Sequence, residues 1–202
     1  AVFAGPCFAK DLVRGLPAGL VAACSNQECA ERIAKTFSGQ LVKVYTSNDT
    51  IGVELGGALK NIIAIAVGVS DGLGLGDSAR AGLITRGLAE ITRLSTVLGA
   101  DPRTLSGLSG LGDLAMTASS DTSRNRTVGL HLARGKALDV ILKELGSVAE
   151  GVGCAFLAQE LARKHGVSTP ITEAVVQLLS GGKTAKETVQ ELVNRPLRSE
   201  KD

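Results

Sequence analysis

The sequence predicts a mainly α-helical protein, in which a short α/β segment (residues 1–48) precedes a helical domain (residues 49–202). The first fifty residues contain a short apolar run and a segment of period-two alternation, both typical of strands. From Asp49 onward, apolar residues recur at steps of three and four, as they do on one face of a helix. With 202 residues, the chain is long enough to bury a sizeable core around those helices.

The α/β segment is predicted to form one strand–helix–strand unit. Residues 18–24 are a short apolar run and residues 41–45 alternate, so both predict strands. Between them, Ser25 and Glu28 have the spacing of a capping box that opens a helix, and Gly39 ends it. A unit of this length predicts a crossover between parallel strands.

The helical domain divides at recognisable start and stop signals. The helical period begins at Asp49, and Asp77 is expected to cap the second helix. Pro102 is expected in the first turn of a short third helix after Asp101. A fourth helix is expected to begin near Ser123 and to end at Gly135. Further helices are predicted over 137–145, 152–165, 170–179 and 186–193, with start signals at Thr169 and Thr184 and stop signals at Gly166 and Gly181.

Composition excludes several classes of function. Lys and Arg number 22 against 20 Asp and Glu, and only five residues are aromatic, so a nucleic-acid-binding surface is not expected. The longest apolar run, residues 62–69, is far shorter than the ~20 residues that span a bilayer. The cysteines at 7, 24, 29 and 154 lack metal-ligand spacing, which predicts reduced thiols and no metal site.

The start of the chain carries two further signals. Residues 1–10 lack the charged and apolar regions of a signal peptide, which favours a cytoplasmic protein. The first residue is Ala and the only methionine is Met116. We therefore expect that a preceding segment has been removed from this chain.

One glycine-rich motif has the form of a dinucleotide-binding turn. Gly74, Gly76 and Ala79 match Gly-x-Gly-x-x-Ala, follow an apolar run and precede a helix. Four residues separate the run from the first glycine, however, and the run continues the helical stripe that begins at Leu55. The sequence therefore favours a helix–helix connection over a nucleotide site.

Two charged residues stand in apolar surroundings. Lys60 is the only charge between Glu54 and Asp71, so it is either a solvated lysine on an outer face or a buried acid–base group. Asp113 lies between glycine and apolar residues, and it could cap a helix or orient a lysine.

A third candidate is the run Ser123-Arg124-Asn125-Arg126 at the predicted start of a helix. Hydroxyl, guanidinium, amide and free backbone N–H groups that converge there would form a phosphate receptor. The alternative is an ordinary capped helix with solvated arginines.

Six segments occur in the order in which one known enzyme family has them. They are GPCFAK (5–10), VYTSNDTIGVELGGALKNIIAIAVGVSDGLGLGDSARAGLITRGLAE (44–90), GLSGLGDL (107–114), SRNR (123–126), VAEG (148–151) and PITEAV (170–175). Together they resemble the bacterial NAD(P)-dependent glycerol-3-phosphate dehydrogenases over essentially the whole chain. The resemblance implies that residues 1–48 are the remnant of a Rossmann domain. It also implies that residues 49–202 form an all-α substrate domain like that of 6-phosphogluconate dehydrogenase.

The resemblance also assigns roles to matched positions. It implies that Lys60 is the catalytic acid or base and that Asp113 lies beside the substrate and the lysine. The implied substrate contacts are Gly5, Cys7, Lys60, Asp113, Ser123, Arg124 and Asn125, and the implied cofactor contacts are Ala9, Arg124, Val148 and Glu150. Position 7 is usually Ser or Thr in the family, and a thiol is a weaker hydrogen-bond partner.

The implied activity is the interconversion of dihydroxyacetone phosphate and sn-glycerol 3-phosphate by a cytoplasmic homodimer, with NAD or NADP as cofactor, for phospholipid synthesis. The family's glycine-rich fingerprint would precede residue 1. Two alternatives stay open: the chain alone is a catalytically silent substrate-binding or dimerisation module, or the substrate is another small hydroxy acid.

Overall fold

The structure, a computed structural model, describes residues 1–197 and 199; the remaining residues of the predicted domain 49–202 lie outside this description. The elements are β1 (Val2–Ala4), α1 (Ala9–Val13), β2 (Ala18–Ala23), α2 (Gln27–Phe37), β3 (Val42–Ser47), α3 (Thr50–Gly72), α4 (Gly76–Val97), α5 (Pro102–Leu105), a π-helical turn (Leu108–Gly112), α6 (Asp113–Ser119), α7 (Arg124–Ala133), α8 (Leu138–Leu145), α9 (Glu150–His165), α10 (Pro170–Leu179) and α11 (Ala185–Val193). The predicted mainly α fold is confirmed.

The strands form one small sheet in the order β1-β2-β3. β2 and β3 are parallel, as the strand–helix–strand pattern predicts, and β1 adds to the sheet in antiparallel orientation. Neither β1 nor α1 was predicted, because elements of three and five residues are too short to show a periodicity. The predicted capping box of α2 is wrong: the Asn26 side chain accepts the hydrogen bond from the Cys29 N–H at 3.0 Å, so Ser25 lies outside the cap.

The two faces of the sheet pack against different helices. Leu20 and Val44 lie in an apolar cluster with Ala34 of α2. On the other side, Val21 clusters with Val53 of α3, and Leu108 of the π-helical turn packs there too. The sheet is therefore joined to the helical domain through the first turns of α3.

α3 is the central helix of the protein. Asp49 caps it, since one carboxylate oxygen accepts from the Gly52 N–H at 2.8 Å, and the other accepts from the Asp101 N–H at 2.9 Å. By length and composition α3 could cross a membrane, but 67% of its most apolar window is buried inside the protein. Apolar residues all round a helix are expected where neighbouring helices cover every side.

α3 and α7 cross at van der Waals contact between backbones. A Cβ atom added to Gly68 would lie 2.1 Å from the Arg126 carbonyl oxygen, and one added to Gly129 would lie 2.1 Å from the Ile65 carbonyl oxygen. Only glycine fits at either position. The close crossing brings the start of α7 beside the helix that carries Lys60.

The glycine-rich motif is a helix–helix connection, as expected. Residues 62–69 belong to α3, and Gly74 and Gly76, with φ of +70° and +84°, turn the chain into α4. The predicted cap at Asp77 is wrong, because α4 already begins at Gly76. Asp77 instead lies in the first turn, where its carboxylate pairs with Arg80 at 3.1 Å.

The start of α10 is capped from another helix. Thr169 precedes the helix as predicted, but its hydroxyl is buried and has no hydrogen-bond partner. Instead, the carboxylate of Glu90 on α4 accepts from the backbone N–H groups of Ile171 at 2.6 Å and Thr172 at 3.2 Å. The predicted capping box of Thr184 at the start of α11 is present.

Candidate active site

Lys60 and Asp113 form an ion pair inside the protein. Lys60 lies on α3 and Asp113 is the first residue of α6, and the Lys60 Nζ contacts Asp113 Oδ2. Only 16% of the Lys60 side chain and 5% of the Asp113 side chain are exposed. The structure therefore decides against a solvated lysine.

Burial and the neighbouring groups act on the pKa of Asp113 in opposite directions. Burial raises the pKa of Asp113 above its usual value, whereas the hydrogen bond and charge of Lys60 act in the opposite direction. The Thr117 hydroxyl also donates to Asp113, at 3.3 Å. Thr117 was not among the predicted site residues, although its position four residues after Asp113 places both on one face of α6.

The start of α7 presents polar groups of three kinds. The Ser123 hydroxyl caps the helix, since it accepts from the Arg126 N–H at 3.2 Å. Arg124 is exposed and Asn125 is buried. The first N–H groups of a helix have no carbonyl partner within the helix and carry partial positive charge, so this end of α7 favours an anion.

Asn125 ties three helices together. Its amide donates to Asn61 Oδ1 at 2.9 Å, and its Oδ1 accepts from the Gly151 N–H of α9 at 3.0 Å. Asn61 directly follows Lys60 in α3, so the lysine, the start of α7 and the start of α9 are fixed relative to one another. The sequence signal that could identify Asn61 is an amide next to the only charge of an apolar stretch.

The guanidinium of Arg126 is not solvated but forms ion pairs with two aspartates. Its Nε and Nη2 donate to Asp71 Oδ2 at 2.8 and 2.7 Å, and its Nη1 pairs with Asp121 at 2.8 Å. The other oxygen of Asp71 accepts from Arg80 Nε at 3.0 Å. The exposed guanidinium of the predicted phosphate receptor is therefore that of Arg124.

The segment after β1 lies along the edge of the ion pair. Gly5 has φ of +139°, and a Cβ atom there would lie 2.9 Å from the Gly19 carbonyl oxygen, so only glycine fits. Cys7 is half-buried, and burial raises the pKa of its thiol, with further contributions from the carboxylates of Asp11 and Asp113. The structure thus brings Cys7 near Asp113.

Three of the residues matched to cofactor contacts lie on the surface. Ala9 begins α1, Val148 precedes α9 and Glu150 is its first residue, and all three are exposed. Within residues 1–197 and 199, no hydrogen bond or ion pair joins them to Lys60 or Asp113. They are connected to the ion pair indirectly, because Gly151 next to Glu150 binds Asn125.

A mostly apolar cavity lies apart from the ion pair. It has a volume of about 650 Å³ and lies between α3, α4, α10 and α11. Neither Lys60 nor Asp113 borders it. The candidate site therefore consists of the Lys60–Asp113 ion pair and the start of α7. The hydrogen bond between Asn125 and Asn61 connects the two.

Comparison with known sequences identifies the family of this chain. The family model "NAD-dependent glycerol-3-phosphate dehydrogenase C-terminus" matches residues 49–190, which include the ion pair and the start of α7. Glycerol-3-phosphate dehydrogenase (NAD(P)+) of Janthinobacterium sp. (strain Marseille) is 52% identical over 196 residues, covering 97% of this chain and 59% of the relative. The protein of that name from Anaeromyxobacter dehalogenans (strain 2CP-C) is 51% identical over 200 residues, covering 99% and 60%.

Solved structures show the same fold. The crystal structure of glycerol-3-phosphate dehydrogenase from Coxiella burnetii matches with a TM-score of 0.93 at 41% identity, covering 96% of this chain and 60% of that one. The yeast enzyme matches with a TM-score of 0.85 at 23% identity, covering 96% and 59%, which shows the fold alone. The chain spans about 60% of the length of these relatives. It belongs to the NAD-dependent glycerol-3-phosphate dehydrogenase family, of which it carries the C-terminal domain.

Proposed function

We propose that a protein containing this chain interconverts dihydroxyacetone phosphate and sn-glycerol 3-phosphate with NAD or NADP as cofactor. The observation that carries the proposal is the buried Lys60–Asp113 pair, which the Asn61–Asn125 hydrogen bond connects to the capped start of α7. Lys60 can exchange a proton with a substrate oxygen, and the start of α7 can hold the substrate phosphate. The names of the relatives support the same substrate class.

Lys60 acts as the acid in the ketone-reducing direction and as the base in the reverse direction. Its ammonium donates a proton to the carbonyl oxygen as negative charge develops there, and its neutral amine takes the proton back. Asp113 holds the ammonium in place and compensates its charge. Because reduction needs the charged lysine and oxidation the neutral one, oxidation is favoured at higher pH. When bound, the reduced nicotinamide supplies the hydride.

The start of α7 binds the phosphate. Ser123 fixes the first turn, and the exposed guanidinium of Arg124 forms charge-assisted hydrogen bonds to phosphate oxygens. Asn125 keeps this turn at a constant distance from Lys60 through Asn61. Gly5 and Cys7 complete the substrate side, next to Asp113.

The residues proposed as cofactor contacts can bind part of a dinucleotide. Ala9, Val148 and Glu150 present exposed backbone and side-chain groups, and Arg124 presents an exposed cation suited to a phosphate or an amide oxygen. Glu150 opens α9, whose Gly151 is fixed to Asn125. These residues would hold the cofactor near Lys60, and the remaining contacts come from a further part of the protein.

Calorimetry with the substrate and its unphosphorylated analogue tests the phosphate site. We expect sn-glycerol 3-phosphate to bind and glycerol not to bind. Arg124→Ala should weaken binding about 10- to 100-fold, as loss of a charged hydrogen bond does. Arg32→Ala, which removes an exposed arginine from α2, is the matched control and should change nothing. Equal binding of glycerol, or an unchanged affinity of Arg124→Ala, would overturn the phosphate assignment and favour another hydroxy acid.

A second proposal concerns the chain by itself. Its sheet has three strands within the described residues, and the chain spans about 60% of its relatives. We propose that the chain alone binds substrate phosphate without turning it over. Titration of NADH into this chain tests the proposal, since tight binding would contradict it. We further propose a cytoplasmic homodimer that supplies phospholipid synthesis, with sedimentation equilibrium as the test of the dimer.

A further inference from the structure

The cavity between α3, α4, α10 and α11 has the size and the lining of a small-molecule site. Its volume is about 650 Å³. Pockets that hold small molecules usually measure ~300–1,000 Å³ and are lined mostly by apolar side chains. Each of the four helices contributes such side chains here, namely Val69 on α3, Leu83 on α4, Val175 and Leu178 on α10, and Leu192 on α11.

The cavity reaches the surface of the protein. Leu75, Val193 and Leu197 border it and are exposed. Gly82 of α4 borders it too, and a Cβ atom added there would meet no atom within 4 Å. Apolar surface that faces water gains free energy when a ligand covers it. The border of the cavity therefore favours a largely apolar occupant.

One face of α4 adds charged groups to the lining. Arg86, Glu90 and Arg93 follow one another at steps of four and three, which places them on one face of the helix, and all three border the cavity. Arg195, which follows α11, borders it as well. Among the described residues of the lining, three are therefore cationic and one is acidic.

The carboxylate of Glu90 is already bound by α10. It accepts from the backbone N–H groups of Ile171 at 2.6 Å and Thr172 at 3.2 Å, and from the Thr172 hydroxyl at 3.3 Å. Arg93 donates through Nη2 to the Ser168 carbonyl oxygen at 3.1 Å. An arginine with such a partner can still bind a carboxylate, because its guanidinium carries five N–H donors. The charges of the lining therefore favour an anionic group on the occupant.

A buried hydroxyl of the lining lacks a hydrogen-bond partner. Ser70 of α3 borders the cavity, is 1% exposed, and its Oγ makes no hydrogen bond. Buried hydroxyl groups in native proteins are nearly always hydrogen-bonded, and a bound molecule can supply the missing partner. This hydroxyl is a second observation, independent of the apolar lining, that points to an occupant with a polar group.

We propose that this cavity binds a molecule with an unbranched alkyl chain and one terminal carboxylate. The alkyl chain covers the apolar lining, and the carboxylate accepts charge-assisted hydrogen bonds from the arginines of α4. An uncharged chain would leave the arginines without this partner, and a small anion would leave the apolar lining in contact with water. The site is separate from the Lys60–Asp113 pair and does not depend on the proposed dehydrogenase activity.

Calorimetry of the chain with dodecanoate tests the proposal without any activity measurement. We expect dodecanoate to bind about 10- to 100-fold more tightly than 1-dodecanol, which is the contribution of a charged hydrogen bond. Acetate, which has the carboxylate but no alkyl chain, should not bind. Equal affinities for dodecanoate and 1-dodecanol would contradict the role of the arginines, and a lack of dodecanoate binding would overturn the proposal.

Two pairs of variants locate the site. Gly82→Phe adds a large side chain at the border of the cavity and should weaken dodecanoate binding at least about tenfold. Gly153→Phe, at an exposed glycine of α9 with equally open surroundings, is the matched control and should bind normally. Arg86→Gln should weaken the binding of dodecanoate but not of 1-dodecanol, whereas Arg32→Gln on α2 should change neither. An unchanged affinity for dodecanoate in Gly82→Phe or in Arg86→Gln would overturn the proposal.

Discussion

Asp71→Asn tests how far burial determines the strength of an ion pair. Asp71 and Asp121 pair with the same guanidinium, that of Arg126, at 2.7 and 2.8 Å. Their side chains are 6% and 95% exposed. Asp71 also accepts from Arg80, so that its carboxylate takes three charged N–H groups in a nearly dry environment.

The expected magnitudes differ strongly. Removing one partner of a buried ion pair costs about 3–5 kcal/mol, and asparagine retains one acceptor, so Asp71→Asn should lower the unfolding free energy by about 3 kcal/mol. Exposed ion pairs contribute only ~0–1 kcal/mol, so Asp121→Asn should be close to neutral. Urea denaturation followed by circular dichroism measures both variants. Equal losses in the two variants, or a loss of less than about 1 kcal/mol in Asp71→Asn, would refute the reasoning.

Three further outcomes are expected from the same unfolding measurements. Gly129→Ala should prevent native folding because its Cβ would lie 2.1 Å from the Ile65 carbonyl oxygen. Gly153 has open space around it, so Gly153→Ala should stabilise α9 by up to ~1 kcal/mol. A Gly129→Ala variant more stable than Gly153→Ala would contradict the close crossing of α3 and α7. Burial raises the pKa of Glu90 from 4.5 to about 7, so the folded state holds this proton more tightly than the unfolded state does. The unfolding free energy should therefore fall by about 3 kcal/mol as pH rises through that range, and a slope unchanged in Glu90→Gln would contradict this. Ser123→Ala should lower the unfolding free energy by about 1 kcal/mol, because the helix cap is lost, and should weaken the binding of sn-glycerol 3-phosphate. An unchanged affinity for sn-glycerol 3-phosphate would contradict a role of Ser123 in the phosphate site.

The helices could be predicted because their signals are local. Asp101, Ser123 and Thr184 each cap the helix that their position predicts, since the capping bond reaches only two or three residues. The same rule fails at Ser25, because the next residue, Asn26, is an equally good cap and takes the bond. Sequence alone does not decide between two adjacent caps.

The contacts that build the site could not be predicted from local signals. Lys60 and Asp113 stand out singly as charges among apolar residues, but 53 positions separate them and no periodicity links them. The hydrogen bond between the side-chain amides of Asn125 and Asn61 spans 64 positions, and the hydrogen bond of Arg126 to Asp71 spans 55. The Lys60–Asp113 pair forms where α3 meets α6, and the other two pairs form where α3 crosses α7. That crossing depends on two glycines, Gly68 and Gly129, each of which faces a backbone.

Turnover by a Lys60→Ala variant tests the proposed mechanism most directly. The chain would be joined to the N-terminal region of the Janthinobacterium relative, which the chain does not cover, and NADH oxidation with dihydroxyacetone phosphate would be followed. We predict that Lys60→Ala lowers kcat by about 10²- to 10⁴-fold, the usual contribution of a general acid. The control, Lys186→Ala, removes an exposed lysine from α11 and should turn over normally. Near-normal turnover of Lys60→Ala would contradict the assignment of Lys60 as the proton donor.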